Sequence, residues 1–330
     1  MIAGHRGAGR SGGGRQMAVS YVVPVYNKAA FLPQVLQALA AERDETGGEI
    51  ILVDDGSTDA SPRLLSDFAA AGTNARLFTQ PNAGVAAATN RGFALAQCEY
   101  VRLVDADDTV VAGSTRRLRR TMAEEGVEFA FGHHHQYAGS LDAGLADRLA
   151  AELAGARARR LTDPLMRFLV ADHFIPSVTL GRRAAMAACF PLPLGYRTSQ
   201  DFILGIRLAA TTSLARLEAA CCHFPLAVPG RLSASRAQMF WDAARMIADE
   251  WDGPNAALWS PRHRRVAARR IAGRAILYAR RHLRVTPGHA AWLRLRKAMT
   301  HLPHLTPTAT LLRRIAATYD QALADRDRYP

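Results

Sequence analysis

Residues 19–42, VSYVVPVYNKAAFLPQVLQALAAE, set the pattern from which the fold can be worked out. The first part, 19–26, is a short apolar run rich in β-branched residues, and such a run is typical of a buried strand. The second part, 29–42, carries apolar residues at helical spacing, namely Phe31, Leu32, Val35, Leu36 and Leu39. The stretch therefore predicts a strand that leads directly into a helix.

The same alternation of strand and helix continues downstream. The next predicted elements are, in order, EIILVDD (49–55), ASPRLLSDFAAA (60–71), ARLFTQ (75–80), GVAAATNRGFALAQ (84–97) and EYVRLVD (99–105). In the second predicted helix, Ser61 is suited to cap the N-terminus and Pro62 to the first turn. Successive strands joined by helical crossovers predict an α/β protein with a mostly parallel central sheet and helices on both faces.

Polar stretches follow the predicted strands at the points where the strands end. They read PVYN (24–27), DDGSTD (54–59), QPNAG (80–84) and DADD (105–108). Because ligands of such sheets bind at the carboxyl ends of the strands, we expect these stretches to form one site. A plainer alternative stays open, since DGSTD could be a turn with a helix cap and DxD pairs often lie on solvated loops.

The cluster LVDADD (103–108) ends in closely spaced carboxylates, and clustered like charges need a cation, a proton or an opposite charge nearby. Asp105 and Asp107 are alternate residues at a strand's end, so both can address one divalent cation with hard oxygen ligands. Mg²⁺ or Mn²⁺ held by so few carboxylates completes its shell with water and substrate phosphates. The cluster therefore predicts a cation that carries a diphosphate.

The composition bounds the class of protein. Of the 330 residues, 49% are hydrophobic and 22% charged, which indicates a globular protein with one large domain and an appendage. The four cysteines show no CxxC spacing, which favours a reducing, cytoplasmic compartment. No apolar run is long enough to span a membrane, and residues 1–17 lack the apolar core of a signal peptide. We expect 1–17 to be a flexible leader, 18–236 the main domain and 237–330 a basic helical C-terminal region.

Other phosphate-binding classes lack their motifs in this chain. A dinucleotide-binding domain needs GxGxxG after its first strand, where this chain has PVYNKA (24–29). A P-loop needs GxxxxGK[ST], and neither lysine, Lys28 or Lys297, follows a glycine. A phospho-receiver domain needs a lysine that follows its phosphorylated aspartate in the chain, and this chain has no lysine between Lys28 and Lys297. These classes are excluded.

The order of the strand-end motifs resembles that of the family 2 glycosyltransferases, which have a GT-A nucleotide-sugar-binding fold. The likeness runs through VVPVYNKAAFLPQVLQAL, IILVDDGSTDAS, NAGVAAATNRG and YVRLVDADD, and so extends over residues 22–108. It implies an inverting enzyme that moves a sugar from a nucleotide-sugar donor, a UDP-sugar, to an acceptor hydroxyl. One departure is Thr89, because many family members carry an arginine at that position.

The resemblance also assigns roles to single residues. The metal ligands are implied to be Asp105 and Asp107, with Mn²⁺ or Mg²⁺ as the cation. The nucleotide-sugar pocket is implied to consist of Pro24 and Tyr26 beside the nucleobase, Asp55 with Asp54 recognising it, and Asn27, Asn82, Gly84, Asn90 and Asp105.

A general base is implied further along, in the acidic pair that opens a helix in related enzymes. YRTSQDFILGIRLAA (196–210) offers Asp201 at that position, with Gln200 in place of the usual glutamate and Arg207 where the family often has arginine. A carboxylate within hydrogen-bond reach of the acceptor hydroxyl can take its proton as it attacks the anomeric carbon. The alternative, which is compatible with the first, is that Ser199 and Asp201 cap a helix.

The histidines are weaker candidates for the site. In GHHHQY (132–137) adjacent side chains of a strand would alternate faces, so at most two of these histidines, His133, His134 and His135, can share a site. We expect them in a loop or an active-site wall rather than on a metal. His173 and His223 are expected to be packed or to lie on the acceptor side, and GRLSASR (230–236) resembles the Ser-rich loop of related enzymes without its usual histidine.

The C-terminal stretch accounts for the net charge. Residues 255–330 contain 16 Arg and Lys against three Asp, a difference that equals the chain's net charge of +13. In a helix over 262–284, four arginines would lie away from the apolar face, namely Arg270, Arg274, Arg281 and Arg284. Such a helix can pack on the main domain, lie on anionic lipid or hold an anionic glycan. We expect peripheral contact with the cytoplasmic membrane face and no nucleic-acid partner, since no nucleic-acid-binding module accompanies the charge.

The sequence thus favours a metal-dependent sugar transferase that acts on a glycan or lipid-linked acceptor in polysaccharide or glycoconjugate synthesis. Two alternatives stay open. A nucleotidyltransferase of similar fold would normally show a glycine-rich basic loop after its first strand, which PVYNKA (24–29) lacks. A degenerate nucleotide-sugar-binding module would have little use for intact Asp107 and Asp201.

Overall fold

The structure is a computed structural model, and it describes residues 18–138, 143–171, 174–196, 198–226 and 236–270. Several sequence-based expectations therefore lie outside the described residues. They concern the leader (1–17), His173, the Ser-rich stretch up to residue 235 and the part of the basic C-terminal region from 271 onward.

Within the described residues, nine strands form one sheet in the order β3-β2-β1-β4-β8-β6-β9-β5, with β7 paired to β9. The strands are β1 (Val19–Val25), β2 (Gly48–Asp54), β3 (Ala75–Thr79), β4 (Tyr100–Leu103), β5 (Thr109–Val110), β6 (Phe129–Tyr137), β7 (Ala158–Arg160), β8 (Thr179–Arg182) and β9 (Leu214–Pro225).

The first four strands are parallel and place their carboxyl ends at one edge of the sheet. In this register Val25 of β1 lies beside Asp54 of β2, Asp54 lies beside Thr79 of β3, and Val22 lies beside Leu103 of β4. The rest of the sheet is mixed, because β8 is antiparallel to β4 and β6, whereas β6 and β9 are parallel. The α/β class and the parallel βα units predicted from the sequence are confirmed.

The helices cover the sheet and bury its apolar strands. They are α1 (Leu32–Thr46), α2 (Ser61–Ala70), α3 (Val85–Leu95), α4 (Ser114–Glu125), α5 (Ala143–Gly155), α6 (Pro164–Val170), α7 (Arg183–Ala187), α8 (Gln200–Thr211) and α9 (Arg236–Trp251). Helix α3 lies close to β1 and β2 because it has glycine at position 92. A Cβ on Gly92 would lie 2.4 Å from Cγ1 of Val22 and 3.3 Å from Cγ2 of Val53.

The predicted cap of α2 is wrong. The helix is preceded by Ala60, and the hydroxyl of Ser61 instead accepts a hydrogen bond of 3.0 Å from the backbone N–H of Lys28. The N–H of Ser61 donates to Oδ1 of Asp59 at 2.8 Å. The serine therefore ties the start of α2 to the loop that follows β1.

A buried arginine joins the sheet to its surroundings beneath the strand ends. Arg102 of β4 has no solvent-exposed surface, and its Nη1 lies 3.5 Å from Oε2 of buried Glu42. Its guanidinium donates to the hydroxyls of Ser114 and Thr115 and to the carbonyl oxygens of Ser177 and Cys221, at distances of 2.6 to 3.0 Å. A buried ion pair needs such additional hydrogen bonds to offset its desolvation. The guanidinium thereby fixes Ser177, which matters for the site described below.

The segment after β9 packs on the main domain. Buried Asp242 of α9 accepts hydrogen bonds of 2.7 and 2.8 Å from the N–H and hydroxyl of Thr198, and Glu250 pairs with Arg207 of α8 at 2.8 Å. Residues 261–270 are helical, and Ala267 is fully buried among the core residues. The domain boundary at residue 236 stays a prediction. In the parts of the chain that the structure describes, no helix combines the length and apolarity needed to cross a bilayer.

Candidate active site

The loops after β1 and β2 are clamped together at the carboxyl edge of the sheet. Asn27 has a left-handed φ of 52°, and its side-chain oxygen accepts hydrogen bonds from the backbone N–H groups of Thr58 at 2.8 Å and Asp59 at 3.3 Å. Its own N–H donates to the hydroxyl of Ser57 at 3.0 Å. The side chain of the preceding residue, Tyr26, is left 46% exposed at the edge of the site. An exposed aromatic face at this position can stack on a flat ligand group.

Asp55 holds the loop after β3. Its buried carboxylate accepts hydrogen bonds from Nε2 of Gln80 at 2.8 Å and from the N–H groups of Ala83 and Gly84 at 2.9 and 2.8 Å. The loop passes so close that a Cβ on residue 56, which is a glycine with φ of 72°, would lie 2.9 Å from the backbone nitrogen of Asn82. The structure thus brings Asp55, Asn82 and Gly84 together as the sequence predicts.

Asp54 lies beside this loop with a different partner. Its Oδ1 accepts a hydrogen bond of 3.2 Å from the N–H of Ser57, which closes the turn after β2. Both carboxylates therefore order the loops around the edge of the sheet. Their roles in recognising a nucleobase stay predictions.

Ser177 organises the carboxylate cluster that follows β4. Its hydroxyl accepts a hydrogen bond of 3.0 Å from the N–H of Asp105 and donates one of 2.7 Å to Oδ2 of Asp108. The N–H of Asp108 closes the turn by donating to the carbonyl oxygen of Asp105 at 3.0 Å. Because Arg102 holds the carbonyl of Ser177, the carboxylates are positioned from within the core. Asp108 is 1% exposed and Asp107 is 8% exposed, so the carboxylate of Asp108 lies deeper and holds the turn.

Asp107 pairs with a lysine that was not among the residues predicted for the site. Its Oδ2 lies 2.7 Å from the ammonium of Lys28, which follows the clamped Asn27. The partners are 79 positions apart, so sequence spacing alone cannot reveal the pair. The available signal was the position of Lys28 in PVYNKA, directly after the first strand, at the edge where the carboxylates were predicted to converge.

The donor atoms at this edge fit a divalent cation that takes further ligands from its substrate. Asp107 already accepts a positively charged group, and carboxylate oxygens are the ligands that Mg²⁺ and Mn²⁺ prefer. Among the described residues, no group of three or more His, Cys, Asp or Glu side chains could hold a metal by itself. A cation at Asp107, with Asp105 beside it, would therefore need water and phosphate oxygens to complete its shell.

The ends of β6 and β9 form a wall beside the carboxylates. Burial raises the pKa of Tyr137, and the charges of Asp108 and Asp107 raise it further. Burial lowers the pKa of His223 to about 4, with a smaller contribution from His135, whose ring centre lies 6.1 Å away. The imidazole of His223 is therefore neutral at pH 7. His223 therefore adds no positive charge next to the carboxylates at this pH.

The three consecutive histidines have different neighbours. The strand β6 places His133 at 2.9 Å from Oε2 of Glu218, whereas the ring of His134 lies 5.0 Å from that of Phe224. Only His135 of the three is in ring contact with His223. The register of β6 against β9 shifts on both sides of His133, so the three side chains meet different neighbours.

Asn90 links the donor side of the site to the segment that leads to Asp201. Its Nδ2 donates to the carbonyl oxygen of Leu192 at 2.8 Å, and its Oδ1 accepts from the N–H of Leu192 at 2.7 Å. Arg207 of α8 holds the same segment by donating to the carbonyl oxygens of Cys189 and Pro191, both at 2.9 Å. Asn90 therefore positions a backbone segment, and its predicted place in the donor pocket stays a prediction.

Asp201 lies in the first turn of α8 and is partly buried. The turn is set by Ser199, which has φ of 67° and makes no side-chain capping bond, and by Thr198, which α9 holds through Asp242. The Oδ1 of Asp201 accepts a hydrogen bond of 2.8 Å from the N–H of Phe202. A carboxylate on the first turn of a helix is stabilised in its charged form. The structure therefore places Asp201 at the start of α8, and its role as a general base stays a prediction.

Comparisons with known proteins agree on one family. Residues 20–190 match the model described as glycosyl transferase family 2. The chain is 34% identical over 120 residues to glycosyltransferase GlyG of Streptococcus pneumoniae serotype 4, a match that covers 36% of this chain and 40% of GlyG. It is 42% identical over 93 residues to an undecaprenyl-phosphate 4-deoxy-4-formamido-L-arabinose transferase of Aeromonas hydrophila, which covers 27% of this chain and 28% of that protein. The chain thus spans less than half the length of these relatives.

Solved structures share the fold at low sequence identity. The crystal structure of S. aureus TarS in complex with UDP-GlcNAc matches with a TM-score of 0.59 and 16% identity over 92% of each chain. The mannosyltransferase PcManGT from Pyrobaculum calidifontis, in complex with GDP-Man and Mn²⁺, matches with a TM-score of 0.55 and 18% identity. That match covers 93% of this chain and 87% of PcManGT.

Proposed function

The chain belongs to glycosyl transferase family 2 and has the GT-A fold, and from this premise we propose that it transfers a sugar from a nucleotide-sugar donor to an acceptor hydroxyl. The observation that carries the proposal is the meeting of strand-end carboxylates at one edge of the sheet, with Asp107 in contact with a positive charge. Sheets of this kind bind their ligands at that edge.

The donor would lie across the carboxyl ends of β1, β2 and β4. We propose a UDP-sugar, because the exposed ring of Tyr26 can stack on a base and the loop held by Asp55 lies beside it. Pro24 and Asp54 would complete the base-binding side, and Asn82 and Gly84 would lie along the sugar side. The loop clamp made by Asn27 would keep these groups in place before the donor arrives.

A divalent cation is the proposed cofactor, either Mn²⁺ or Mg²⁺. Asp107 would hold it, with Asp105 beside it, and when bound it would neutralise charge on the leaving nucleoside diphosphate. Ser177 would hold the turn that carries these two carboxylates, because its hydroxyl binds the backbone N–H of Asp105 and the carboxylate of Asp108. Such preorganised charge is usually the largest contribution that a site makes to a reaction of this type.

Asp201 is the proposed general base. It would take the proton of the acceptor hydroxyl as that oxygen attacks the anomeric carbon, while the bond from the same carbon to the diphosphate oxygen breaks. Direct displacement by the acceptor oxygen inverts the configuration of the anomeric centre. The hydrogen bonds that fix Leu192 and Thr198, in the segment that leads into α8, would help to hold the base in place.

A donor screen by thermal shift tests the proposal and separates it from its alternatives. In the presence of Mn²⁺, we expect one sugar nucleotide to raise the melting temperature more than UDP, GDP or free nucleoside triphosphates do. A ligand in large excess over its dissociation constant stabilises the folded state by about 2.7 kcal/mol at a hundredfold excess. Stabilisation by a nucleoside triphosphate alone would instead favour the nucleotidyltransferase. Stabilisation by a sugar nucleotide from which no nucleoside diphosphate is released would favour the binding module.

The proposed acceptor is a glycan or lipid-linked glycan of polysaccharide or glycoconjugate synthesis, reached from the cytoplasmic side of the membrane. The proposal rests on the charge of residues 255–330. The structure describes residues 255–270 of this stretch, and this part packs on the main domain. In that part His263 pairs with Asp163 at 2.7 Å. We propose that the arginines further along the chain contact anionic lipid.

Flotation with vesicles checks this membrane contact. We expect the protein to float with vesicles that contain phosphatidylglycerol, to be released by salt, and to stay at the bottom with neutral phosphatidylcholine vesicles. A variant with Arg274, Arg281 and Arg284 changed to Gln should lose most of its flotation. The matched control removes the same charge from α4, at Arg116, Arg119 and Arg120, and should float normally. Equal flotation of both variants would contradict a lipid contact through the C-terminal arginines.

A further inference from the structure

The ion pair between Lys28 and Asp107 joins the first strand-end loop to the proposed cation site. Their side chains are 21% and 11% exposed, and the ammonium lies 2.7 Å from Oδ2 of Asp107. Of the 42 Arg and Lys residues in the chain only Lys28 and Lys297 are lysines, so the basic residue against this carboxylate is of the rarer type. The difference matters because the ammonium of a lysine is displaced from a carboxylate more easily than the guanidinium of an arginine.

The backbone of Lys28 is fixed on both sides. Its N–H donates to the hydroxyl of Ser61 at 3.0 Å, and its carbonyl oxygen accepts from the N–H groups of Phe31 at 2.9 Å and Leu32 at 3.1 Å. The neighbouring Asn27 is clamped to the loop after β2. The ammonium, by contrast, lies at the end of a flexible four-carbon chain. It can therefore move by several ångströms through rotamer changes alone, without disturbing the loop.

A divalent cation and an ammonium compete for the same carboxylate oxygen, because their positive charges repel each other at contact distance. A guanidinium would bind a carboxylate through two parallel hydrogen bonds and resist displacement, whereas an ammonium is a compact charge without that fixed geometry. Once displaced, the ammonium would lie next to the phosphate oxygens that complete the shell of the cation. Lysine is well suited to bind phosphate as a point charge.

We infer that Lys28 is an exchangeable counterion: it neutralises Asp107 before the donor binds, yields that carboxylate to the divalent cation, and then donates to the diphosphate of the donor. The inference rests on the proposed function. It adds a diphosphate-binding residue to the site. It also accounts for the charge balance of the closely spaced carboxylates before a divalent cation binds.

Calorimetric titration of full-length Lys28→Met tests both halves of the inference. With Mn²⁺ alone, removal of the competing ammonium should tighten binding by about fivefold, the factor that corresponds to an ion pair worth about 1 kcal/mol. With UDP at saturating Mn²⁺, loss of the contact to phosphate should weaken binding by a similar factor. Lys28→Arg should bind Mn²⁺ more weakly than the unchanged protein, because its paired hydrogen bonds hold Asp107 more firmly.

The matched control is Arg76→Met, which breaks an ion pair of the same length, 2.7 Å, between Arg76 and Glu49. It should change neither affinity. Unchanged Mn²⁺ affinity in Lys28→Met, with a fall in melting temperature like that of the control, would make the pair purely structural and overturn the inference. Unchanged UDP affinity would overturn the diphosphate contact. If no variant bound Mn²⁺ at all, the proposed cation dependence would fail together with the inference, whereas equal Mn²⁺ binding in all variants overturns the inference alone.

Discussion

We expect Asp107→Ala to abolish the gain in donor affinity that Mn²⁺ would provide, and with it turnover. The variant removes the carboxylate that would hold the cation and leaves the ammonium of Lys28 without this partner. A cation contributes several kcal/mol of charge stabilisation, which corresponds to a loss on the order of a hundredfold or more in activity. Calorimetry of UDP binding with and without Mn²⁺ measures the effect directly, and EDTA should reduce the unchanged protein to the level of the variant.

The control for this variant is Asp67→Ala, which removes an exposed carboxylate from α2 on the same domain. It should retain Mn²⁺-dependent binding and its melting temperature. If Asp107→Ala binds UDP with Mn²⁺ as tightly as the unchanged protein does, Asp107 does not hold the cation. Equal loss in the two variants would point to a general electrostatic effect instead.

Asp201→Asn should leave donor binding intact and remove most of the transfer. The amide has nearly the same shape as the carboxylate, and its oxygen can still accept the hydrogen bond from the N–H of Phe202. It cannot take a proton, and loss of a general base costs about a hundredfold to ten-thousandfold in rate. The turnover number should therefore fall by this factor at nearly constant UDP affinity.

Asp67→Asn serves as the matched control, with unchanged turnover and unchanged stability. The melting temperature of Asp201→Asn separates a chemical role from a capping role. A drop in stability with nearly normal turnover would mean that Asp201 only stabilises the first turn of α8, and the base would have to be another group. Normal stability with normal turnover would exclude both roles.

The parallel part of the fold follows from sequence patterns because its signals are local. Each of the strands β1 to β4 is an apolar run, and an amphipathic helix separates each from the next within a short stretch of chain. The observed element bounds differ from the predicted ones by only a few residues. The helix predicted at 29–42 is Leu32–Thr46, for example, because the turn held by Lys28 occupies its expected first residues.

Local sequence patterns do not predict how strands β5 to β9 are arranged in the sheet. Strand β6 contains three histidines and pairs with β9 across long separations, so that His135 lies beside His223 and Phe129 beside Leu214. Between them lie α5, β7, α6, β8, α7 and α8. Nothing local in the chain states which distant strands pair, because the pairing depends on packing over the whole sheet.

Sequence patterns predict which strand-end segments meet at the sheet edge, but they do not predict the contacts between those segments. The residue types and the sheet edge were predicted, because strand ends of parallel sheets meet. The partners were not, since each contact joins distant segments: Asn90 binds the backbone of Leu192, 102 positions away, and Ser177 binds Asp108 from 69 positions away. Lys28 was missed for the same reason, although it occupies a loop that was already assigned to the site.

The most direct test of inverting sugar transfer needs no knowledge of the acceptor. The donor that stabilises the protein most is incubated with the protein and Mn²⁺, and proton NMR follows its slow hydrolysis, with water in place of the acceptor. We expect release of the nucleoside diphosphate. The free sugar should appear first in the anomeric configuration opposite to that in the donor, and this hydrolysis should be lost in Asp201→Asn. A first-formed sugar with the donor's own configuration, or no diphosphate release from any stabilising donor, would contradict inverting transfer.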